Sequence, residues 1–251
     1  MQTKIFAHKG SNRIYPENTL AAFKQAIKDG VDGIELDVQR TFDGELVVFH
    51  DANLKRLTGV NQAIWNMKWK DIKKLNLSTN ITSLKEADYF YRKIPKLEDV
   101  LYLLNETELL INIELKNRYN YYPKMEEEII SLVDSFSMRK KVLYSSFNHV
   151  SMNKISTLIG SEYSGILTKN IDYLPWNYLE KINVLSYNPN VNSLQQPNLV
   201  NNIQDRGFEI NIWTADKEED INKSLLYGVN GIITNKPKKA IELRNQFEKE
   251  N

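Results

Sequence analysis

Three carboxylates, two histidines and two lysines sit at strand-like positions whose spacing brings them to common faces. Glu35 and Asp37 flank Leu36 in one apolar run, and residues i and i+2 of a strand project to the same side. Glu114 and Lys116 repeat that spacing around Leu115. His8 and Lys9 end the first apolar run, and His50 with Asp51 ends another. Three converging carboxylates repel one another and are costly to desolvate. A hard divalent cation such as Mg²⁺ or Ca²⁺, which takes all-oxygen shells, resolves that conflict. His8 and His50 beside the cation would supply a general base and a general acid, and Lys9 and Lys116 bring positive charge suited to a phosphate oxygen. Metal, acid, base and cations together describe phosphoester cleavage; glycoside hydrolysis needs two carboxylates and no metal.

Taken singly, each residue has an ordinary structural role open to it: a salt-bridged carboxylate, a hydrogen-bonded strand-end histidine, a solvated lysine. Trp213, in the run Asn211-Ile212-Trp213-Thr214, serves either as core filler or as a substrate platform. His149 follows Ser145-Ser146-Phe147-Asn148 where a helix begins and reads as structural. The joint placement carries the chemical reading.

Positioning such a set requires strands that end near one another. Strand-like runs cover residues 5–8, 33–39, 45–50, 109–115, 142–147, 165–168, 184–187, 208–214 and 231–234. Helical apolar stripes lie between most of them, such as Leu20, Phe23, Ala26 and Ile27, or Met125, Ile129, Leu132 and Val133. Regular alternation of this kind predicts parallel βαβ units, and about eight units in about 250 residues is the size of a (β/α)₈ TIM-type barrel, which carries its functional residues at the C-terminal strand ends. The surplus ninth run is explained by Asp43-Gly44, a two-residue hairpin signal joining 33–39 to 45–50 as an antiparallel ribbon. A two-residue loop there places Asp37 directly opposite His50; a three-residue loop breaks that pairing. A doubly wound open sheet is the alternative, but no G-x-G-x-x-G follows any strand. Residues 52–96 interrupt the rhythm and predict a small inserted lobe within a single domain spanning 1–251.

Composition narrows the field further. The 251 residues carry 33 Lys and Arg against 32 Asp and Glu, a net charge of +1, which argues against a nucleic-acid partner. There is no cysteine, so thiolate catalysis, disulfides and Cys-ligated metals are excluded. No apolar run approaches the roughly 20 residues of a membrane span, and the first residues show no secretory signal; the expected location is cytoplasmic.

The ordered set His8-Lys9-Gly10, Pro16-Glu17-Asn18-Thr19, Gly33-Ile34-Glu35-Leu36-Asp37-Val38, Asp43-Gly44, Val47-Val48-Phe49-His50-Asp51 and Leu57-Thr58-Gly59 resembles the glycerophosphodiester phosphodiesterase family. Ile113-Glu114-Leu115-Lys116, Ser145-Ser146-Phe147, Trp213-Thr214 and Gly231-Ile232-Ile233-Thr234 extend the resemblance over nearly the whole chain. It implies a TIM-type barrel with a small insertion after the second histidine motif. It also implies metal-dependent hydrolysis of glycerophosphodiesters, such as glycerophosphocholine or glycerophosphoethanolamine, to glycerol 3-phosphate and an alcohol. By matching position, Glu35, Asp37 and Glu114 would be metal ligands, His8 and His50 the acid–base pair, and Lys116 the lysine near the phosphate. Two positions depart from the pattern: Lys9 stands where the family usually has arginine, losing the bidentate fork, and Asn235 stands where aspartate is common. Related readings are a phosphodiesterase acting on lysophospholipids or a glycerophosphate polymer, and a catalytically silent barrel binding a phosphorylated ligand.

Overall fold

A computed structural model describes residues 2–77, 92–118 and 120–250. Alternation along the strands decides what each face meets. In β2 (Gly33–Arg40) Ile34, Leu36 and Val38 join the main core while Glu35, Asp37 and Gln39 take the opposite face. In β4 (Leu110–Leu115) Ile111, Ile113 and Leu115 do the same, leaving Asn112 and Glu114 across from them. With a period of two, the apolar set can face the helices only if the carboxylates face the barrel interior.

The described strands, in chain order, are β1 (Lys4–His8), β2, β3 (Leu46–Val48), β4, β5 (Val142–Ser146), β6 (Ser164–Thr168), β7 (Ser186–Pro189), β8 (Glu209–Ile212) and β9 (Gly231–Thr234). All but β3 run parallel and close into an eight-stranded barrel, β1 pairing with β2 on one side and β9 on the other. Helices α1 (Leu20–Asp29), α2 (Lys55–Thr58), α3 (Trp69–Ile72), α4 (Leu97–Leu104), α5 (Met125–Ser135), α6 (His149–Ile159), α7 (Pro175–Lys181), α8 (Leu199–Gln204), α9 (Glu218–Leu226) and α10 (Pro237–Glu250) connect them. The TIM-type barrel expected from the alternation is the observed fold. Local chemistry explains the boundaries: Thr19 Oγ1 accepts from Ala22 N–H at 3.2 Å to start α1, and Pro237 opens α10 with no amide to leave unsatisfied.

Strand boundaries shift, most of all at β7. The expected run 184–187 is observed as Ser186–Pro189, because Val184 N–H bonds back to Leu179 O at 3.1 Å and closes the end of α7. The ribbon register also differs from the two-residue-loop expectation. Thr41 N–H bonds Glu45 O at 2.9 Å and Gly44 N–H bonds Thr41 O at 3.1 Å, so the loop is Phe42-Asp43-Gly44, with Gly44 at φ +93° where other residues are strained. Asp43 favours this longer loop by accepting from Thr41 Oγ1 at 2.7 Å and Trp69 N–H at 2.8 Å. The register is Val38 opposite Val48, and Phe49 N–H bonds Asp37 O at 2.9 Å. Asp37 therefore faces Phe49, not His50, and His50 lies at a bend just past the ribbon.

Val47, Phe49, Leu54, Ile64, Ile72, Leu77 and Ile94 form a second apolar core beside the barrel. This cluster draws on the ribbon and on described residues of the 52–96 segment; residues 78–91 of that segment lie outside the described ones. At the barrel floor Phe6 occupies space that Gly33 leaves open, where a Cβ would come within 2.4 Å of the ring. The polar ends of the strands are left to build the site.

Candidate active site

Glu35, Asp37 and Glu114 converge: one carboxylate oxygen of each lies within 4.8 Å of the others. Strand register enforces this, because Asp37 sits beside Glu114 and Glu35 beside His8 on neighbouring parallel strands. Asp37 is 0% and Glu35 3% exposed. Glu35 Oε2 accepts the Lys9 backbone N–H at 3.0 Å, Asp37 Oδ2 accepts from Asn18 Nδ2 at 2.7 Å, and Glu114 Oε1 accepts from Lys116 Nζ at 2.7 Å. Burial, then repulsion from Asp37 and Glu114, raises the Glu35 carboxyl well above its ordinary range. Burial likewise raises Glu114, against the opposing pull of Lys116. For Asp37 burial also pushes upward, but Lys116, Lys9 and His50 outweigh it and hold the carboxyl below its ordinary range.

The donor set fits a hard divalent cation. It is all oxygen, and Asp37 Oδ1 is buried without a hydrogen-bond partner, with Lys116 Nζ 3.5 Å away. An orphaned acceptor in a cluster of like charges is what a cation would satisfy.

The two histidines have different supports. His8 Nδ1 is 2.7 Å from Asn235 Oδ1, and Asn235 Nδ2 donates to Asp216 Oδ2 at 2.7 Å. An ionised carboxylate only accepts, so Asp216 fixes the amide orientation and turns Oδ1 toward His8. His8 Nδ1 must then be the donor, which leaves the lone pair on Nε2, 3.9 Å from Glu35 Oε2. Burial, then Lys9, lowers the His8 imidazole to about 4, so it is neutral at pH 7. His50 Nδ1 instead donates to Asp51 Oδ1 at 2.7 Å. Arg56 clamps Asp51 through Nε at 2.5 Å and also holds Glu17 through Nη2 at 2.6 Å.

A cavity of about 360 Å³ opens at the C-terminal strand ends, bringing together His8, Glu35, His50, Glu114, Lys116 and Trp213. Asp37 lies behind this wall, fully buried. Lys9 is not among the lining residues; its Nζ is 3.4 Å from Glu17 Oε1 and its backbone supports Glu35. Trp213 donates Nε1–H to Asn188 O at 2.7 Å and meets the Phe147 ring edge-on. His149 is tied to Leu167 O and the Tyr178 hydroxyl, at 3.0 and 3.1 Å, in the structural role expected of it. Asn18, Asp51, Arg56, Asn235 and Asp216 had no expected role as supports. The motif runs contained Asn18 and Asp51; Asp51 pairs with its neighbour His50, whereas Asn18 reaches Asp37 across 19 residues.

Residues 8–239 match the model of the glycerophosphoryl diester phosphodiesterase family. The chain is 35% identical over 244 residues to a glycerophosphodiester phosphodiesterase of Caldanaerobacter subterraneus, covering 97% of this chain and 98% of that protein. It is also 35% identical to one of Bacillus altitudinis, covering 98% and 100%. Among solved structures, an Oleispira antarctica phosphodiesterase in complex with the product sn-glycerol-3-phosphate superposes with a TM-score of 0.80 at 25% identity, covering 97% of each chain.

Proposed function

Because this chain belongs to the glycerophosphoryl diester phosphodiesterase family, we propose that it hydrolyses glycerophosphodiesters to sn-glycerol 3-phosphate and an alcohol, with a divalent cation held by Glu35, Asp37 and Glu114. The substrate class includes glycerophosphocholine and glycerophosphoethanolamine. The observation that carries the reading is the buried carboxylate trio, with an orphaned oxygen, beside two separately supported histidines at one cavity. The sn-glycerol-3-phosphate held by the Oleispira relative supports the product assignment. A bound Mg²⁺ or Ca²⁺ supplies Lewis-acid polarisation of a phosphoryl oxygen and charge neutralisation.

The residues divide the remaining work. Lys116, between Glu114 and Asp37 and lining the cavity, offsets negative charge developing on the phosphoryl oxygens. His8, neutral and presenting the Nε2 lone pair, removes the proton from the attacking oxygen. His50, whose partner is a carboxylate where that of His8 is a neutral amide, delivers a proton to the departing alkoxide. Trp213, which lines the same cavity, walls the substrate. Among the described residues no helix is long and apolar enough to cross a membrane.

Release of sn-glycerol 3-phosphate from several glycerophosphodiesters, measured with Mg²⁺, with Ca²⁺ and with EDTA, tests this reading. Release is expected with at least one cation and is lost in EDTA. Turnover unaffected by chelation would sink the metal assignment, and no release from any diester would sink the activity.

A further inference from the structure

Arg56 supports the site from outside the cavity. It is not among the residues that wall the cavity, whereas His50 and Asp51 are. It belongs to α2 of the inserted lobe, next to Leu54, fully buried in the second apolar core, and Leu57, packed against that core. From there the guanidinium reaches two loops of the barrel mouth. One edge meets Asp51, with Nε 2.5 Å from Oδ2 and Nη2 3.1 Å from Oδ1. The other meets Glu17, with Nη1 3.1 Å from Oε2 and Nη2 2.6 Å from Oε1. Glu17 Oε1 in turn lies 3.4 Å from Lys9 Nζ, and Asp51 Oδ1 accepts from His50 Nδ1 at 2.7 Å. Lys9, Glu17, Arg56 and Asp51 thus alternate in charge, and a proton on His50 continues the series. Burial pushes both carboxyls upward, but Arg56 and Lys9 at Glu17, and His50 and Arg56 at Asp51, hold them below their ordinary ranges. Ion pairs of a half-exposed arginine contribute little to stability, yet a bidentate fork fixes the orientation of the carboxylate it holds. With both edges engaged, this guanidinium is occupied by protein carboxylates.

Resting on the reading of His50 as the proton donor, we propose that Arg56 is a positioning residue for that donor. Arg56 orients Asp51, Asp51 holds the Nδ1–H of His50, and Nε2 is left to carry the transferable proton. As the bond from phosphorus to the leaving oxygen breaks, that proton passes from Nε2 to the alkoxide, and a neutral His50 keeps Nδ1–H on Asp51. Glu17 anchors the far edge of the guanidinium to the loop between β1 and α1. One residue of the inserted lobe therefore ties together the loops that follow His8 and His50. Lysine at this position would keep the charge but could form neither fork.

The leaving group tests whether Arg56 acts through the donor. The alkoxide of choline needs a proton to depart, whereas p-nitrophenolate is a weak base and leaves without one. The readout is kcat for glycerophosphocholine divided by kcat for the p-nitrophenyl ester of glycerol 3-phosphate, with a divalent cation present. His50→Ala sets the reference and should lower this ratio by about 10² to 10⁴-fold. Arg56→Ala should lower it by about tenfold or more, and Arg56→Lys should lower it in the same direction, both with KM nearly unchanged. Nitrogen-15 signals of the His50 ring, identified by their loss in His50→Ala, report the Nδ1–H bond without turnover and should shift in Arg56→Ala. A ratio unchanged in both Arg56 variants, a loss confined to KM, or unmoved ring signals would overturn the inference. A ratio unchanged in His50→Ala would overturn the donor assignment and the inference with it. If the wild type hydrolyses neither ester, the parent reading fails alone, and shifted ring signals still support the coupling of Arg56 to His50.

Discussion

Replacing Glu35 with glutamine should make the cation-free protein more stable at alkaline pH while removing its response to divalent cations. The three carboxylates hold oxygens within 4.8 Å of one another; at that separation two unit charges repel by about 3 kcal/mol at an effective dielectric of about 20. Lys116 offsets the charge on Glu114 and Asp37, at 2.7 and 3.5 Å, but has no ion pair with Glu35. Folding therefore keeps a proton on Glu35 above its ordinary value of 4.5. The folded state then binds more protons than the unfolded state over that window, so this group's contribution to stability falls as pH rises from 4.5 toward the raised folded value. Glutamine mimics the protonated acid at every pH. The stability difference, variant minus wild type, should be smallest at pH 5 and grow to about 1 to 3 kcal/mol by pH 8, the range left after partial compensation by Lys9. Urea unfolding in EDTA at pH 5, 6, 7 and 8 measures it, and the difference between two proteins cancels the titration of all shared groups. Added Mg²⁺ or Ca²⁺ should stabilise the wild type, increasingly with pH, and the variant far less. A difference that stays constant with pH, or shrinks, would falsify the account of a charge conflict centred on Glu35.

Two further outcomes bear on the histidines. His8→Ala and His50→Ala should each lower kcat by about 10² to 10⁴-fold with an unchanged circular dichroism spectrum; full turnover in either variant rules that ring out as acid or base. Asn235→Leu removes the acceptor of His8 Nδ1 and frees the ring to place its proton on Nε2, so kcat should fall by about tenfold to a hundredfold, the worth of about 1 to 3 kcal/mol for an abandoned polar partner, while KM changes little. A loss confined to KM would mean that Asn235 serves substrate binding instead.

The barrel was legible because its signals are local. Ile34, Leu36 and Val38 alternate with Glu35, Asp37 and Gln39 in one short run, and that pattern states both the strand and the face its carboxylates take. The ribbon's existence was legible from Asp43-Gly44, but its register was not. The choice between a two- and a three-residue loop turned on Asp43 accepting from Trp69 N–H, 26 residues onward. Candidate site residues divide in the same way. Glu35, Asp37, Glu114 and Lys116 announce themselves by spacing, whereas Asn18 reaches Asp37 across 19 residues, Arg56 reaches Glu17 across 39, and Asn235 reaches His8 across 227. No periodicity encodes such pairs; only the closed sheet, which sets β1 beside β9, brings Asn235 to His8. Lys9 shows the converse: its motif position suggests a phosphate contact, but its left-handed backbone, φ +59°, sets its N–H on Glu35 while its ammonium reaches Glu17.

Register also explains why the charge conflict cannot relax by small adjustments. Asp37 and Glu114 are lateral neighbours on parallel strands, as are Glu35 and Asn112, and like charges placed side by side on a sheet are destabilising. Slipping β4 by one residue would remove the clash but turn Ile111, Ile113 and Leu115 out of the main core, three buried side chains worth about 1.5 to 3 kcal/mol each. That cost exceeds the repulsion of one carboxylate pair, about 3 kcal/mol at these distances. Apolar burial on the outer face thus holds the carboxylates together on the inner one. The same alternation that writes the barrel into the sequence keeps a crowded cluster of carboxylates buried on its inner face.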